Sequence, residues 1–93
     1  MLNNVSAISE YLLTEIALIE GVQEVRGAGL LIGATLNQPV AKKVVKKAQE
    51  LGLLINAPGD SIIRIAPALN ISLKQAEKFI AIFTQAVKES QHV

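Results

Sequence analysis

Cysteine is absent from this 93-residue chain, which removes disulfides, thiolate nucleophiles and cysteine-built zinc sites at once. There is one histidine, His92, the penultimate residue, so a histidine metal centre or a Ser-His-Asp type triad has no material to form from. Aromatic residues make up 3% of the chain, and none lies among the lysines of residues 42–47, where base stacking would need one. No charge sign dominates: nine basic side chains face eight acidic ones, for a net +1. Without a broad positive field, general nucleic-acid binding is not expected. A long apolar run is missing too. A membrane-spanning helix needs about 20 apolar residues, and the best stretch, residues 28–36, is interrupted by Gly29 and Gly33. The N-terminus lacks the basic start and apolar core of a secretion signal, so a soluble, cytoplasmic protein is the expectation. The two Asn-x-Ser triplets, at Asn4 and Asn70, are then chance matches.

Hydrophobic residues are abundant, at 51% with only 18% charged, which is enough for one compact domain with apolar surface left over for a partner. Their spacing predicts the elements. Val5, Ile8, Leu12, Ile16 and Ile19 form one helical stripe, capped by Asn3 or Asn4 and stopped at Gly21. Residues 22–36 are rich in β-branched side chains and broken by Gly27, Gly29 and Gly33, which predicts a strand with a bend or bulge, or two strands. Asn37 and Pro39 suit the start of a second helix. Its stripe is Val40, Val44, Ala48 and Leu51, its opposite arc Lys42, Lys43, Lys46 and Lys47, and Gly52 ends it. Residues 53–56 and 61–65 read as strands joined by the turn Ala57-Pro58-Gly59-Asp60. Ser72-Leu73-Lys74-Gln75 has the form of a capping box and opens a last helix with Ala76, Phe79, Ile80, Phe83 and Val87 on one face. Residues 90–93 read as a frayed tail. The result is an α+β domain, a small, mainly antiparallel sheet of three to four strands with three helices, in the order helix-strand-helix-strand-strand-helix.

The candidate sites are few. Glycines at 27, 29 and 33 do not match the dinucleotide fingerprint, whose third glycine falls one position earlier and opens a helix. A bend or close backbone approach is the better account. The lysines of the second helix have no interleaved aromatic residue and read as a solvated face. Phe79 and Phe83 read as core, and the glutamates of the first helix show no pairing suited to acid–base chemistry. Arg64 stands apart, because it interrupts the apolar strand Ile62–Ile65 just before Pro67. A guanidinium enclosed there needs an anion, and its planar fork matches a carboxylate. The alternative is an edge-strand arginine that reaches water or pairs with Asp60 or a glutamate. Arg26 raises the same question and has Glu24 two positions away on its own face.

Val22-Gln23-Glu24-Val25-Arg26-Gly27-Ala28-Gly29-Leu30-Leu31-Ile32-Gly33 resembles the V-R-G-x-G-L-M-x-G segment of class III, pyridoxal-phosphate-dependent aminotransferases. Gly52-Leu53-Leu54-Ile55-Asn56, followed by Ile63-Arg64-Ile65-Ala66-Pro67-Ala68-Leu69-Asn70-Ile71-Ser72, is similar to their G-L-L-x-N … L-R-x-x-P-P-L-x-I-S ending. Ala68 departs from the family's second proline. Within the class the wording is nearest the acetylornithine aminotransferases of arginine biosynthesis, with ornithine and succinylornithine aminotransferases as neighbours. The resemblance implies that residues 1–93 are only the C-terminal small domain of a longer, homodimeric enzyme. That enzyme's large domain carries the Schiff-base lysine, the acidic partner of the pyridine nitrogen and the phosphate loop. It implies a substrate-binding role for Arg64, on the carboxylate of an amino or keto acid, and no catalytic, cofactor-binding or metal-binding residue in this chain. Pyridoxal phosphate is then expected in the parent and not on the fragment, which is expected to be inactive and prone to self-association. Two other readings share the same residues: a free-standing amino-acid-binding regulatory module, and a purely structural dimerisation domain.

Overall fold

A computed structural model of the chain describes residues 2–28, 31–50, 55–66 and 72–91. Its elements run α1 (Leu2–Ala17), β1 (Val22–Ala28), β2 (Leu31–Leu36), α2 (Ala41–Glu50), β3 (Ile62–Ile65) and α3 (Leu73–Ser90). The strands form one antiparallel sheet in the order β1-β2-β3. This is the expected α+β domain, with one change of order. The segment 22–36 is a pair of strands folded on itself, with Val25 opposite Ala34 and Gly27 opposite Ile32. A single strand of that length would extend about 50 Å, beyond the molecule's longest dimension of 42 Å. Folding back instead sets its apolar residues side by side over one core. The bulge expected in this stretch falls between Val22 and Glu24.

The sheet has two unlike faces because side chains alternate along each strand. On β2 and β3, Ile32, Ala34, Leu36, Ile63 and Ile65 are buried. They meet Ile8, Leu12, Ile16 and Ile19 from α1 and its following turn, Ala41, Val44 and Ala48 from α2, and Ala76, Phe83, Ala86 and Val87 from α3. The predicted helical stripes are thus the helix faces that bury, as far as they fall on described residues. Helix α3 touches both α1 and α2, and Phe83 is fully buried in the core. The opposite sheet face carries Leu31, Ile62 and Arg64, all exposed.

Local details explain the boundaries. Gly21 adopts φ +103°, a conformation that side-chain-bearing residues rarely take, so the turn after α1 favours glycine there. Helix α2 begins two residues after Pro39, later than the sequence implies. Val40 accepts the Val44 amide at 2.9 Å, and the Ala41 amide donates to the Asp60 carbonyl at 2.8 Å. The turn at 57–60 thus satisfies an orphan helix donor that Asn37 was expected to serve. Asn56 exchanges both backbone hydrogen bonds with Arg64, at 3.2 and 2.8 Å, which gives the second hairpin one bridge. Leu53, Leu54 and the expected stop Gly52 lie outside the described residues. Ser90 is buried within α3, and the helix is closed by Gln91 donating to the Val87 carbonyl at 3.1 Å. The frayed tail therefore does not begin at Ser90, because the helix holds that residue against the core. His92 lies outside the described residues.

The capping box is present in full. Gln75 donates its amide to Ser72 Oγ at 3.1 Å, and the Ser72 amide donates to Gln75 Oε1 at 2.9 Å. Ser72→Ala is expected to lower unfolding free energy by about 1 kcal/mol, read from the urea midpoint at constant slope. A change below about 0.3 kcal/mol would mean that the box forms without holding the helix.

Candidate functional site

The uncovered sheet face brings together residues that are far apart in the chain. Arg26 pairs with Gly33 across β1–β2, and Gly33 with Arg64 across β2–β3, so the three share one row. With neighbouring strands about 4.8 Å apart, the two arginine backbones stand roughly 10 Å apart with glycine between them. A Cβ added at Gly33 would find open space, so the absent side chain leaves a notch. Leu31 and Ile62 form apolar rims, 51% and 46% exposed, around an open depression of about 320 Å³.

The two guanidiniums differ in what already holds them. Arg26 forms an ion pair through Nε with Glu24 Oε2 on its own strand, the pairing that their spacing implies. Arg64 has no ion-pair partner among the described residues, Asp60 included, whose carboxylate instead lies 3.9 Å from Lys42 Nζ. Arg64 is not enclosed within its apolar strand, as its neighbours implied. Strand alternation turns it outward, opposite in sense to Ile63 and Ile65. An unsatisfied guanidinium on a concave, partly apolar wall is available to a carboxylate, which can accept two parallel hydrogen bonds from it.

The other candidates resolve into structure. Gly27 lies where a Cβ would come within 2.9 Å of a Leu13 methyl, so it permits the close approach of α1 to β1, and the strand after it rules out the dinucleotide loop. Phe79 and Phe83 stack with ring centres 5.6 Å apart and planes 9° from parallel, packed in the core. The lysine arc of α2 is a solvated face with ion pairs. Lys47 reaches Glu89 at 3.2 Å and Glu50 at 3.5 Å, joining α2 to α3. The hydrogen bond with Glu89 raises the Lys47 pKa, and a hydrogen bond from Gln85, then Lys47 itself, lowers that of Glu89.

These residues do not fit pyridoxal phosphate. The described lysines lie on outer helix faces, and none enters a closed cavity beside a carboxylate suited to a pyridine nitrogen. Among the described residues no group of three metal-ligating side chains converges, and no helix is long and apolar enough to cross a membrane. The linear sequence singled out Arg64 and Arg26 but gave no sign of Gly33 between them. Only the pairing register joins positions 26, 33 and 64.

Residues 1–87 match the family model described as aminotransferase class-III. Among curated relatives, the chain is 46% identical over 59 residues to the acetylornithine aminotransferase of Streptomyces coelicolor, covering 63% of this chain and 15% of that protein. It is 34% identical over 89 residues to the one from Clostridium acetobutylicum, covering 91% of this chain and 23% of that protein. Among solved structures, N-acetylornithine aminotransferase from Stenotrophomonas maltophilia superimposes with a TM-score of 0.85 at 30% identity, over 94% of this chain and 26% of that one. Ornithine aminotransferase from Plasmodium yoelii gives 0.78 at 26% identity, over 96% and 24%. The chain thus spans about a quarter or less of the proteins it matches.

Proposed function

The chain belongs to the class-III aminotransferase family, and we propose that it serves as the C-terminal, carboxylate-holding domain of a pyridoxal-phosphate-dependent acetylornithine aminotransferase of the cytoplasm. On this reading the enzyme moves an amino group between N-acetylornithine and 2-oxoglutarate in arginine biosynthesis, and works as a homodimer. The cofactor, its lysine and its phosphate loop belong to a large domain, against which the open sheet face packs.

One observation carries the reading: Arg64, unpaired among the described residues, stands beside the notch at Gly33 on the sheet face that the helices leave bare. Covering that face with a second domain would exclude water around Arg64 and sharpen its grip on a substrate carboxylate. Leu31 and Ile62 supply apolar surface for the same contact. The acetylornithine preference rests on the named relatives.

The test is a chimera in which this chain replaces the matched C-terminal region of the Clostridium acetobutylicum relative. Transamination of N-acetylornithine with 2-oxoglutarate is expected. A folded, cofactor-loaded chimera inert toward every amine donor would overturn the domain assignment. Turnover of ornithine or succinylornithine alone would overturn the substrate.

A further inference from the structure

We infer that Gly33 is a specificity-determining residue: its missing side chain leaves the floor on which the aliphatic chain of an acid lies once Arg64 holds the carboxylate. This rests on the substrate role proposed above for Arg64. The two glycines within described strands differ in what keeps them. Gly27 has a reason inside the chain, because a Cβ there would come within 2.9 Å of Leu13. Gly33 has none among the described residues. A Cβ there would meet nothing within 4 Å, and the backbone is not at positive φ. Glycine in the middle of a strand weakens it, and a β-branched residue would suit this half-exposed position better. The packing of the described chain leaves Gly33 unexplained, so the vacancy serves something outside it.

The neighbours of the vacancy select its occupant. Gly33 is the middle of β2 on the open face, with Leu31 and Thr35 on either side along the strand and Arg26 and Arg64 across from it. The depression of about 320 Å³ is lined by Arg64, Gly33 and Arg26 together, with Leu31 and Ile62 at its rims. An apolar protein segment laid over this row would bury the Arg64 guanidinium with no anion to meet it, at high cost. A small acid brings its own anion. With its carboxylate on Arg64, its methylenes pass over Gly33 between the two apolar rims, in the space that the methyls of a valine would fill. The glycine thus gives up strand stability for room, the exchange expected of a position kept for binding.

Competitive inhibition of the chimera by acetate and by pentanoate reads this floor directly, because the two acids differ only in methylenes. Pentanoate is expected to inhibit the parent chimera about tenfold more strongly. Gly33→Val should bring that ratio below about threefold and leave acetate within about threefold of its parent value, with Gly33→Ala in between. In the 93-residue chain, the urea midpoint of Gly33→Val should equal or exceed that of the parent, since the added side chain meets open space. A lower midpoint overturns the inference, because the glycine would then serve the fold. An unchanged length ratio in Gly33→Val, with Arg64→Ala still lowering kcat/KM, overturns it and leaves the role of Arg64 standing. A Gly33→Val chimera that loses acetate and pentanoate alike, or fails to load its cofactor, also overturns it, since the large domain would then fill the vacancy. An inert parent chimera removes the domain assignment and this inference with it.

Discussion

Arg64→Ala, introduced into the active chimera, is expected to lower kcat/KM by about 100-fold, the loss of roughly 3 kcal/mol from two charge-assisted hydrogen bonds. The structure supports a functional loss without a folding loss. Arg64 is exposed, makes no described ion pair, and keeps its place through backbone bonds to Asn56 that a side-chain change does not touch. The stability of the variant should therefore stay within about 0.5 kcal/mol of the parent. Arg64→Lys keeps the charge but loses the fork, so it should recover only part of the activity. A mainly KM-borne loss would place Arg64 on the bound substrate, and a kcat-borne loss would place it on the transition state. Steady-state kinetics with varied amine donor measure this. Less than a threefold change in kcat/KM would remove Arg64 from the site.

Phe83→Ala should have the largest effect on folding. The side chain is fully buried in the core and its ring stacks on Phe79. Truncating a buried phenylalanine costs about 3–5 kcal/mol, against about 5–14 kcal/mol for a whole domain of this size. The urea midpoint should fall by at least about a fifth. Phe79 is only half-buried, so Phe79→Ala should cost clearly less, the shared stacking term included. If Phe79→Ala proved the more damaging, the core would be centred elsewhere than on Phe83.

Most of the architecture was legible from spacing. The stripes of α1 and α3 and the Ser72–Gln75 box depend on residues within a turn or two of each other, and local rules reach that far. The fold-back of 22–36 was legible only as an alternative, because glycines in a β-rich run permit a bend without fixing where the chain reverses. The start of α2 was misjudged for a related reason. Its first donor is satisfied by the Asp60 carbonyl, from a turn nearly 20 residues downstream. Arg64 was legible as an anomaly, but its direction was not. Three isoleucines around one arginine conceal whether a strand is buried on one face or two. The row of Arg26, Gly33 and Arg64 exists only once three strands are in register, and no local pattern encodes it.

The carbonyl of Asp60 has a mechanical consequence. Asp60 holds the first amide of α2, and its neighbour Ser61 accepts the Leu36 amide at 2.7 Å from the end of β2. The strand bearing Arg64 is thus pinned at its root to both a helix and the central strand, three residues before the guanidinium. Displacing that root would therefore strain the first amide of α2 and the last amide of β2 together, and not the turn alone.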